Sequence, residues 1–327
     1  MEVIRTGSDS FKRLWQELWE QDTLQIPYFS TSWVPYYTEY HDDGVFNDKS
    51  FVIVDNKVPL IGLNIGLWDK KDGSQKLSGV GTPVAYLKTY GNYSMTGAER
   101  LLRKEVDGIL SQFPKAYLHY LECLNDGELS FFGGYLLDKG AVATPVSMQM
   151  IDLTLSSDDL YLGVRKSYKS LINWGAKNIN LQLIDSENVT PDLFEQFRQL
   201  HIKVAGRETR SKATWGLQYY QVKNREAFVL LGELEGVLVT AALFQYTAKN
   251  CFYGVSVSKR ELFDKPMSHN LLWQAILHAK RLGCQYFEPG PLYYPGHSTP
   301  KEVGISKFKK GFGGSAKVRM DIKKMGV

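Results

Sequence analysis

The segment that most constrains the fold is AFVLLGELEGVLVTAALFQYTAKNCFYGVSV, residues 227–257. It contains three apolar runs, and the turn pairs Glu235-Gly236 and Lys249-Asn250 separate them. This pattern predicts a meander of three antiparallel strands. SHNLLWQAILHAKRLG follows with helical spacing and stops at Gly283, and CQYFEPGP after it predicts another strand. The second half of the chain is therefore expected to combine a meander, a helix and a further strand.

The first half of the chain repeats this order of elements. SDSFKRLWQELWEQ predicts an amphipathic helix, and SFVIVDN and VPLIGLNIGLW predict two strands around a turn. A helix over Gly97–Phe113 and a buried strand, AYLHYLEC, follow. Two such runs in 327 residues predict two domains, at 1–152 and 153–314, of the α/β (α+β) class with mixed sheets flanked by helices. The apolar face of the first helix holds Phe11, Leu14, Trp15 and Leu18.

The composition is that of a soluble globular chain, with 43% hydrophobic and 23% charged residues. No run of about 18 uncharged apolar residues occurs, so we expect no stable membrane insertion, and the N-terminus lacks a signal-peptide pattern. Cys123, Cys251 and Cys284 are isolated, and the six histidines show no metal-binding spacing. We therefore predict a cytoplasmic protein with no disulfide framework and no metal site, of undetermined oligomeric state.

Basic charge is concentrated in the C-terminal stretch that contains ISKFKKGFGGSAKVR. From Lys301 onward there are eight basic and two acidic residues, a local charge of +6 against +4 for the whole chain. Such a charge would attract an anionic donor or acceptor. GFGG is not a Walker loop, since no GK[ST] opens a helix after it, nor is it a dinucleotide fingerprint. The alternative interpretation is a flexible turn into the last strand. No GxSxG motif suggests a hydrolase.

The meander followed by a helix resembles the acyl-CoA-dependent N-acetyltransferases, which bind the CoA pyrophosphate at the helix N-terminus. Their loop before this helix needs small residues, whereas SKRELFDKPMSHN contains no glycine. Three segments together resemble the second domain of the FemABX peptidyltransferases, within the GNAT-like acyltransferase superfamily: GELEGVLVTAALFQYTAKNCFYGVSV, LLWQAILHAKRLGCQYFEPG and ISKFKKGFGG. The similarity extends to HIKVAGRETRSKATW, RKSYKSLINWGAKN and PYFSTSWVPYY, so it involves both halves.

This resemblance implies two tandem GNAT-like domains, of which the second carries the transfer site. It also implies that residues 315–327 can return to complete the sheet of the first domain. The implied reaction transfers an aminoacyl or acyl group to an amine of a peptidoglycan precursor or of a surface-glycan amino sugar. The donor would be a co-substrate, aminoacyl-tRNA or acyl-CoA, with no bound cofactor, and the missing glycine loop favours tRNA. The acceptor would be an anionic nucleotide-linked sugar or peptide precursor.

The resemblance also implies roles for five residues. Lys309 would lie beside the transferred group, where an ammonium stabilises a developing oxyanion, and Phe308 would offer a face to the donor. Arg207 and Arg210, in the loop GRETR, would hold acceptor phosphates. Trp33 lies in the one part of the first half where an acceptor-binding motif is recognisable. For the lysine and the arginines, the alternative is a solvated surface side chain.

Four further candidates follow from their expected places in the elements. Tyr253, on the last strand of the meander, either points its phenol at the reaction centre or packs across strands. Glu288, directly after the strand CQYF, either acts as a general base or forms a structural salt bridge. Arg165 and Lys169 stand one helical turn apart and either form part of a basic binding surface or are solvated.

Other functions stay open at this level. A catalytically silent module on an acetyltransferase-like fold would use the basic groove to bind RNA or a nucleotide-sugar. An acyl-CoA-dependent N-acetyltransferase is an alternative within the enzyme class. If the role were purely structural, the basic cluster would be incidental.

Overall fold

A computed structural model describes residues 1–41, 43–79, 82–124 and 127–326. The chain divides into two compact units. Met1–Val146 and Val318–Val327 form the first, and Ser147–Lys317 form the second.

The elements of the described chain are as follows. The helices are α1 (Asp9–Gln21), α2 (Val34–Tyr40), α3 (Thr96–Gln112), α4 (Phe131–Asp138), α5 (Ser157–Gly163), α6 (Lys166–Asn178), α7 (Pro191–Ala205), α8 (Lys212–Lys223), α9 (Met267–Arg281) and α10 (Pro300–Lys310). The strands are β1 (Glu2–Arg5), β2 (Gly44–Asp48), β3 (Phe51–Asp55), β4 (Val58–Asn64), β5 (Gly66–Lys70), β6 (Gln75–Ser78), β7 (Ala85–Lys88), β8 (Tyr117–Cys123), β9 (Val142–Asp152), β10 (Ile179–Ile184), β11 (Ala227–Leu234), β12 (Val237–Tyr246), β13 (Asn250–Ser258), β14 (Tyr286–Leu292) and β15 (Ser315–Lys324).

The first unit builds two sheets. One has the strand order β1-β3-β4-β7 with antiparallel pairs throughout. In the other, β15 pairs antiparallel with β8, and β8 runs parallel to β6. The strands β6, β5 and β2 continue this sheet as antiparallel neighbours. The last strand of the chain therefore returns to the first unit, where Ile322 lies opposite Tyr120.

The packing of α1 shows how the first unit encloses its core. The predicted amphipathic helix is confirmed, and its four predicted apolar side chains are buried. They pack against Val52 and Val54 of β3 and against the neighbouring strands. A Cβ added at Gly62 of β4 would lie 2.9 Å from Leu18. A glycine at this position therefore allows the helix to approach the sheet closely.

The second unit contains one sheet with the order β10-β11-β12-β13-β14-β9. The predicted meander is confirmed as β11, β12 and β13, all antiparallel, while β14 runs parallel to β13 and antiparallel to β9. Helices cover both faces of this sheet: Phe228 and Leu230 pack with α6 and α9, whereas Val229 and Leu231 pack with α7 and α8. Because both faces are buried, β11 has a continuous apolar run instead of an alternating pattern.

Two helices of the second unit have clear end signals. The Thr190 hydroxyl accepts a hydrogen bond from the Leu193 N–H at the start of α7, and Gly206 ends the helix with a φ of +72°. At the start of α10, Thr299 and Glu302 form a capping box. The predicted α/β class, with mixed sheets flanked by helices, is confirmed.

The segment VPLIGLNIGLW differs from its prediction as one strand. It forms β4 and β5, which belong to different sheets. At the break, the Ser50 hydroxyl accepts hydrogen bonds from the Ile65 N–H and from the Asn64 amide, both at 3.2 Å. A side chain distant in sequence thus satisfies the backbone where the strand ends. An unbroken apolar run gives no local sign of such a partner.

Within the described residues, no helix is long and apolar enough to cross a membrane.

The turn after α10 allows a test of the packing in the second unit. Gly314 has a φ of +79°, and a Cβ added there would overlap the carbonyl group of Met150. We expect Gly314→Ala to lower the free energy of unfolding by about 2 kcal/mol or more, because both the positive φ and the overlap are unfavourable. Urea unfolding followed by circular dichroism measures this change.

The matched control is Gly304→Ala in α10, where a Cβ would meet nothing within 4 Å. Alanine is the better helix former, so this variant should gain up to about 1 kcal/mol. A Gly314→Ala protein as stable as the wild type would contradict the close packing of the turn.

Candidate active site

The candidate site lies where two parallel strands of the second unit separate. Residues 250–252 of β13 pair with residues 286–288 of β14. Beyond Phe252, β13 keeps its other neighbour, β12, and β14 keeps its other neighbour, β9, with which residues 286–287 and 290–292 pair. A wedge therefore opens between β13 and β14 after Phe252 and Glu288.

The sequence EPGP marks the point where β14 separates from β13. Pro289 and Pro291 have no backbone N–H, so neither can donate a hydrogen bond to a neighbouring strand. The segment therefore lacks two of the donors that a strand normally offers to its neighbours. Gly290 between them has a φ of +106°, which favours glycine. The register of β14 against β9 also shifts between Phe287 and Gly290.

Lys309, in the last turn of α10, places its ammonium group against this bend. The residue is only 8% exposed, and its Nζ donates a hydrogen bond to the carbonyl oxygen of Pro291 at 3.0 Å. A Cβ added at Gly290 would lie 3.1 Å from this Nζ, so the glycine provides the space that the lysine occupies. The burial excludes the alternative of a solvated surface lysine.

The surroundings of Lys309 change its acidity. Burial lowers the pKa of its ammonium from 10.5 to about 8, and the negative charge of Glu288 opposes this shift. The side chain is therefore mainly protonated at neutral pH, but it titrates far more easily than an exposed lysine. Buried groups with such shifts, next to an opposite charge in a cleft, are typical of catalytic sites.

Glu288 lies within β14 and not after it, which corrects the position predicted from the sequence. It stands opposite Phe252 in the last pair before the strands separate, and it is 2% exposed. The strand predicted over CQYFEPGP is confirmed as β14, but the position assigned to Glu288 ended that strand after CQYF, because prolines such as those of EPGP usually terminate strands. The structure thus brings Glu288 and Lys309 together at the wedge, and the role of Glu288 as a general base stays a prediction.

Phe308 belongs to an aromatic cluster beside Lys309. Its ring centroid lies 5.2 Å from those of His269 and Phe312 and 6.2 Å from that of Tyr168. Phe308 is only partly buried, so part of its ring is accessible to a ligand. Burial lowers the pKa of His269, in the first turn of α9, and its imidazole is therefore neutral at pH 7. The cluster fixes the last turn of α10, which carries Lys309.

The glycines of GFGG form a tightly packed turn that follows this site. A Cβ added at Gly311 would overlap the Tyr168 ring, and one added at Gly313 would lie 3.0 Å from the carbonyl oxygen of Gly163. The Phe312 side chain between them is buried. The expected turn into the last strand is present, but it is closely packed and not a flexible loop.

Tyr253 is the first residue of β13 beyond the stretch paired with β14. Its ring stacks on that of Phe244 in the neighbouring strand, with centroids 5.3 Å apart, and burial raises the pKa of its phenol. Cross-strand packing, the structural alternative, is therefore present at this position. Tyr253 is also partly exposed where the strands separate, and its catalytic role stays a prediction.

The predicted arginines lie in two places. Arg165 caps α6, its guanidinium carbon lies 4.9 Å from the Tyr168 ring centroid, and it donates a hydrogen bond to the Lys307 carbonyl at 3.2 Å. It therefore adjoins the aromatic cluster. Arg207 is exposed in the loop between α7 and α8. Arg210, in the same loop, stacks over the Trp215 ring at 5.5 Å.

Trp33 belongs to the first unit and precedes α2. It is 1% exposed and packs in an aromatic group with Tyr36 and Tyr37, with ring centroids 5.3 and 5.9 Å away. The C-terminal basic residues are likewise divided between the units. Arg319 of β15 is buried in the first unit, and Lys323 forms an ion pair with Asp321 there at 2.5 Å. The local charge of +6 is therefore divided between the two units.

Sequence reasoning did not single out several residues that shape this site. Gly290 makes room for Lys309, and Tyr168, His269 and Phe312 hold the last turn of α10. The motif EPGP was the signal available for Gly290, since a glycine between two prolines marks a bend. Across the described ranges, no group of three or more His, Cys, Asp or Glu side chains is arranged to hold a metal ion.

The two units and their mixed sheets define a tandem GNAT-like fold, as the sequence resemblance implied. The crystal structure of FemX superposes with a TM-score of 0.75 at 11% identity, covering 98% of this chain and 97% of that one. L-PGS from Bacillus licheniformis gives 0.60 at 9% identity, with 98% and 92% covered. A tandem GNAT protein from the clavulanic acid biosynthesis pathway gives 0.57 at 12% identity, with 100% and 98% covered.

These similarities establish the fold. No protein-family model matches the sequence. A comparison with curated proteins finds no significant match either.

The shifted acidity of Lys309 predicts how stability depends on pH. Its pKa of about 8 in the folded protein lies below 10.5, so between these values the folded state binds fewer protons than the unfolded chain. The free energy of unfolding therefore gains a contribution that rises with pH in this window. Lys309→Met removes that contribution. We expect the stability of the wild type relative to Lys309→Met to increase from about pH 7 to about pH 10.

Denaturant unfolding across this pH range provides the measurement. Lys307→Met, which removes an exposed lysine of the same helix, controls for the change in net charge. A stability difference between the wild type and Lys309→Met that does not vary with pH would contradict the buried ammonium.

Proposed function

We propose that this chain is an N-acyltransferase of the FemABX type. It transfers an aminoacyl or acyl group to an amine of a cell-wall peptidoglycan precursor or of a surface-glycan amino sugar. One observation carries the proposal: a buried lysine with a lowered pKa lies beside a buried glutamate where two parallel strands separate. The similarity of the fold to the FemX structure supports it.

The proposed reaction assigns a task to each group at the wedge. The acceptor nitrogen attacks the carbonyl carbon of the donor, a C–N bond forms, and the C–O or C–S bond to the donor then breaks. A lysine ammonium has three N–H donors, of which one goes to Pro291. We assign another to the oxyanion that develops on the carbonyl oxygen. Glu288 would take the proton that the amine loses, and this proton finally reaches the leaving oxygen or sulfur.

Aminoacyl-tRNA is the donor that we favour over acyl-CoA. The loop before α9 contains no glycine, and Pro266 occupies the N-cap position without a capping hydrogen bond from its side chain. This loop lacks the small residues that usually bring backbone N–H groups close to a pyrophosphate. The basic side chains of Lys301, Lys307 and Lys310 on α10 are exposed, and they would attract a polyanionic donor.

For the acceptor we propose an anionic molecule, a nucleotide-linked sugar or peptide precursor. Arg207 is exposed and Arg210 is partly exposed, and both lie in one loop, as expected for residues that hold phosphates. Arg165 beside Tyr168 is a further candidate for an anionic group.

Mass spectrometry of candidate acceptors tests the proposal directly. Amine-bearing peptidoglycan precursors and amino sugars are incubated with the chain and with either charged tRNA or acyl-CoA mixtures. The proposal expects a mass gain equal to one aminoacyl or acyl group on one acceptor, with a single donor class. Binding of an acceptor without any mass gain from either donor set would favour the alternative of a catalytically silent binding module.

The mutation that tests the proposed oxyanion contact is Lys309→Met. The side chains have similar length, but Met cannot donate a hydrogen bond or carry a charge. We expect a loss of turnover by a factor of about 100 or more, as for other oxyanion donors, with the fold retained. Steady-state kinetics measures this loss, and circular dichroism checks the fold.

Lys307→Met and Lys223→Met are the controls for this prediction. Because Lys307 also belongs to the basic side chains assigned to the donor, it controls only for the loss of one charge on α10. Lys223→Met, at an exposed lysine in the last turn of α8, is the control whose turnover should change by less than about threefold. Equal effects of Lys309→Met and Lys223→Met would contradict a specific role for Lys309.

A further inference from the structure

A second cavity lies on the side of the second unit where α6 and α9 cover the sheet. Its volume is about 640 Å³, and it is bounded by the end of α6, by the strand β10 and by α9. Cavities of this size accommodate small organic ligands. The helices touch at Gly175 and Asn270, where a Cβ added to the glycine would lie 2.6 Å from that of the asparagine. The cavity opens beyond this contact.

One side of α9 gives the cavity its polar character. Asn270, Gln274, His278 and Arg281 all line it, and they are spaced four, four and three residues apart. This spacing places them on one face of the helix. Most other side chains of α9 are apolar and buried. The polar stripe therefore faces a cavity, whereas a surface helix would normally turn such a stripe to bulk solvent.

Two members of this stripe are more than nine-tenths buried. Asn270 is 4% exposed and His278 is 8% exposed. Neither ring nitrogen of His278 has a hydrogen-bond partner among the described residues, and its ring packs against Phe228 at 4.5 Å. A buried polar group without a partner is unfavourable by itself. Both ring nitrogens have almost no exposed surface, so a ligand in the cavity would contact Gln274 and Arg281, the more exposed members of the stripe.

The charge of the cavity favours an anion. Lys177 and Arg281 are exposed at its rim, and no acidic residue occurs among the described residues that line it. Burial and the positive charge of Arg281 lower the pKa of His278, and the negative charge of Asp185 raises it. Two cations against one more distant carboxylate leave a net positive rim.

The floor of the cavity is apolar. Ile179, Leu181 and Leu183 are on the same face of β10, and Leu230 of β11 lies beside them. Leu181 and Leu183 are only partly buried, although both point to the face that α6 and α9 cover. An aliphatic group in the cavity would complete their burial.

We propose that this cavity is a second ligand site, for a short peptide or acylated amino acid with a free carboxylate and an aliphatic side chain. The carboxylate binds Lys177 and Arg281 at the rim. The amide groups of the ligand pair with the stripe on α9, and its aliphatic part packs on the leucines of β10. Along the helix axis, Arg281 is about 18 Å from His269, so this site is separate from the one at Lys309.

N-acetyl-L-leucine is a suitable probe, because it combines a carboxylate, an amide and an isobutyl group. We expect saturable binding to the full chain with a Kd of about 1 mM. Chemical-shift changes in a two-dimensional amide NMR spectrum should concentrate at residues 176–181 and 270–281. The uncharged N-acetyl-L-leucinamide should bind about tenfold more weakly, since it lacks the charge-assisted contacts.

The double variant Lys177→Ala/Arg281→Ala should also weaken binding of N-acetyl-L-leucine about tenfold. Both side chains are exposed, so the fold is retained. Lys203→Ala, which removes an exposed lysine of α7, is the matched control and should bind like the wild type. The proposal is overturned if no saturable shifts appear up to about 20 mM, if they occur elsewhere, or if the double variant binds as tightly as the control. Any of these results would mean that the cavity is filled by water and is not a ligand site.

Discussion

Burial of the Lys309 ammonium is the constraint around which the second unit is arranged. An isolated buried cation is strongly unfavourable, so its neighbours must compensate. The Pro291 carbonyl accepts one N–H, and the charge of Glu288 favours the protonated form. The capping box at Thr299 fixes the first turn of α10, and the aromatic cluster around Phe308 fixes the last. A lysine exposed to solvent would need none of these contacts, because water would solvate its charge.

The space that the Lys309 ammonium occupies also depends on how β14 pairs with its neighbours. If β14 paired with β13 along its whole length, the position that Lys309 reaches would be closed by backbone hydrogen bonds. The two prolines of EPGP cannot donate a hydrogen bond to a neighbouring strand, and Gly290 leaves the space that the ammonium fills. One short local sequence therefore contains both the point where β14 leaves β13 and the space for the charged group.

The sequence predicts those helices and strands that are determined by residues close together in the chain. The meander and α1 were predicted correctly, because turn pairs and apolar spacing are properties of neighbouring residues. The break at Ile65 and the burial of Lys309 were not, because each depends on a partner distant in the chain, Ser50 in one case and Gly290 in the other. For the candidate site, the sequence singled out Lys309, Glu288 and Phe308, whose functional roles stay predictions, but not the residues that hold them in position.

The helix α9 contributes side chains both to the candidate site at Lys309 and to the cavity beside β10. Its first turn supplies His269 to the cluster that positions α10, and its polar stripe from Asn270 onward lines the cavity beside β10. The remaining faces are apolar and packed against the sheet, so the helix has little freedom to rotate without losing core contacts. A ligand that fills the cavity would therefore contact a rigid element that also carries His269 of the aromatic cluster beside Lys309. The spacing of Asn270, Gln274, His278 and Arg281 is visible in the sequence, but only the fold shows that this stripe faces a cavity.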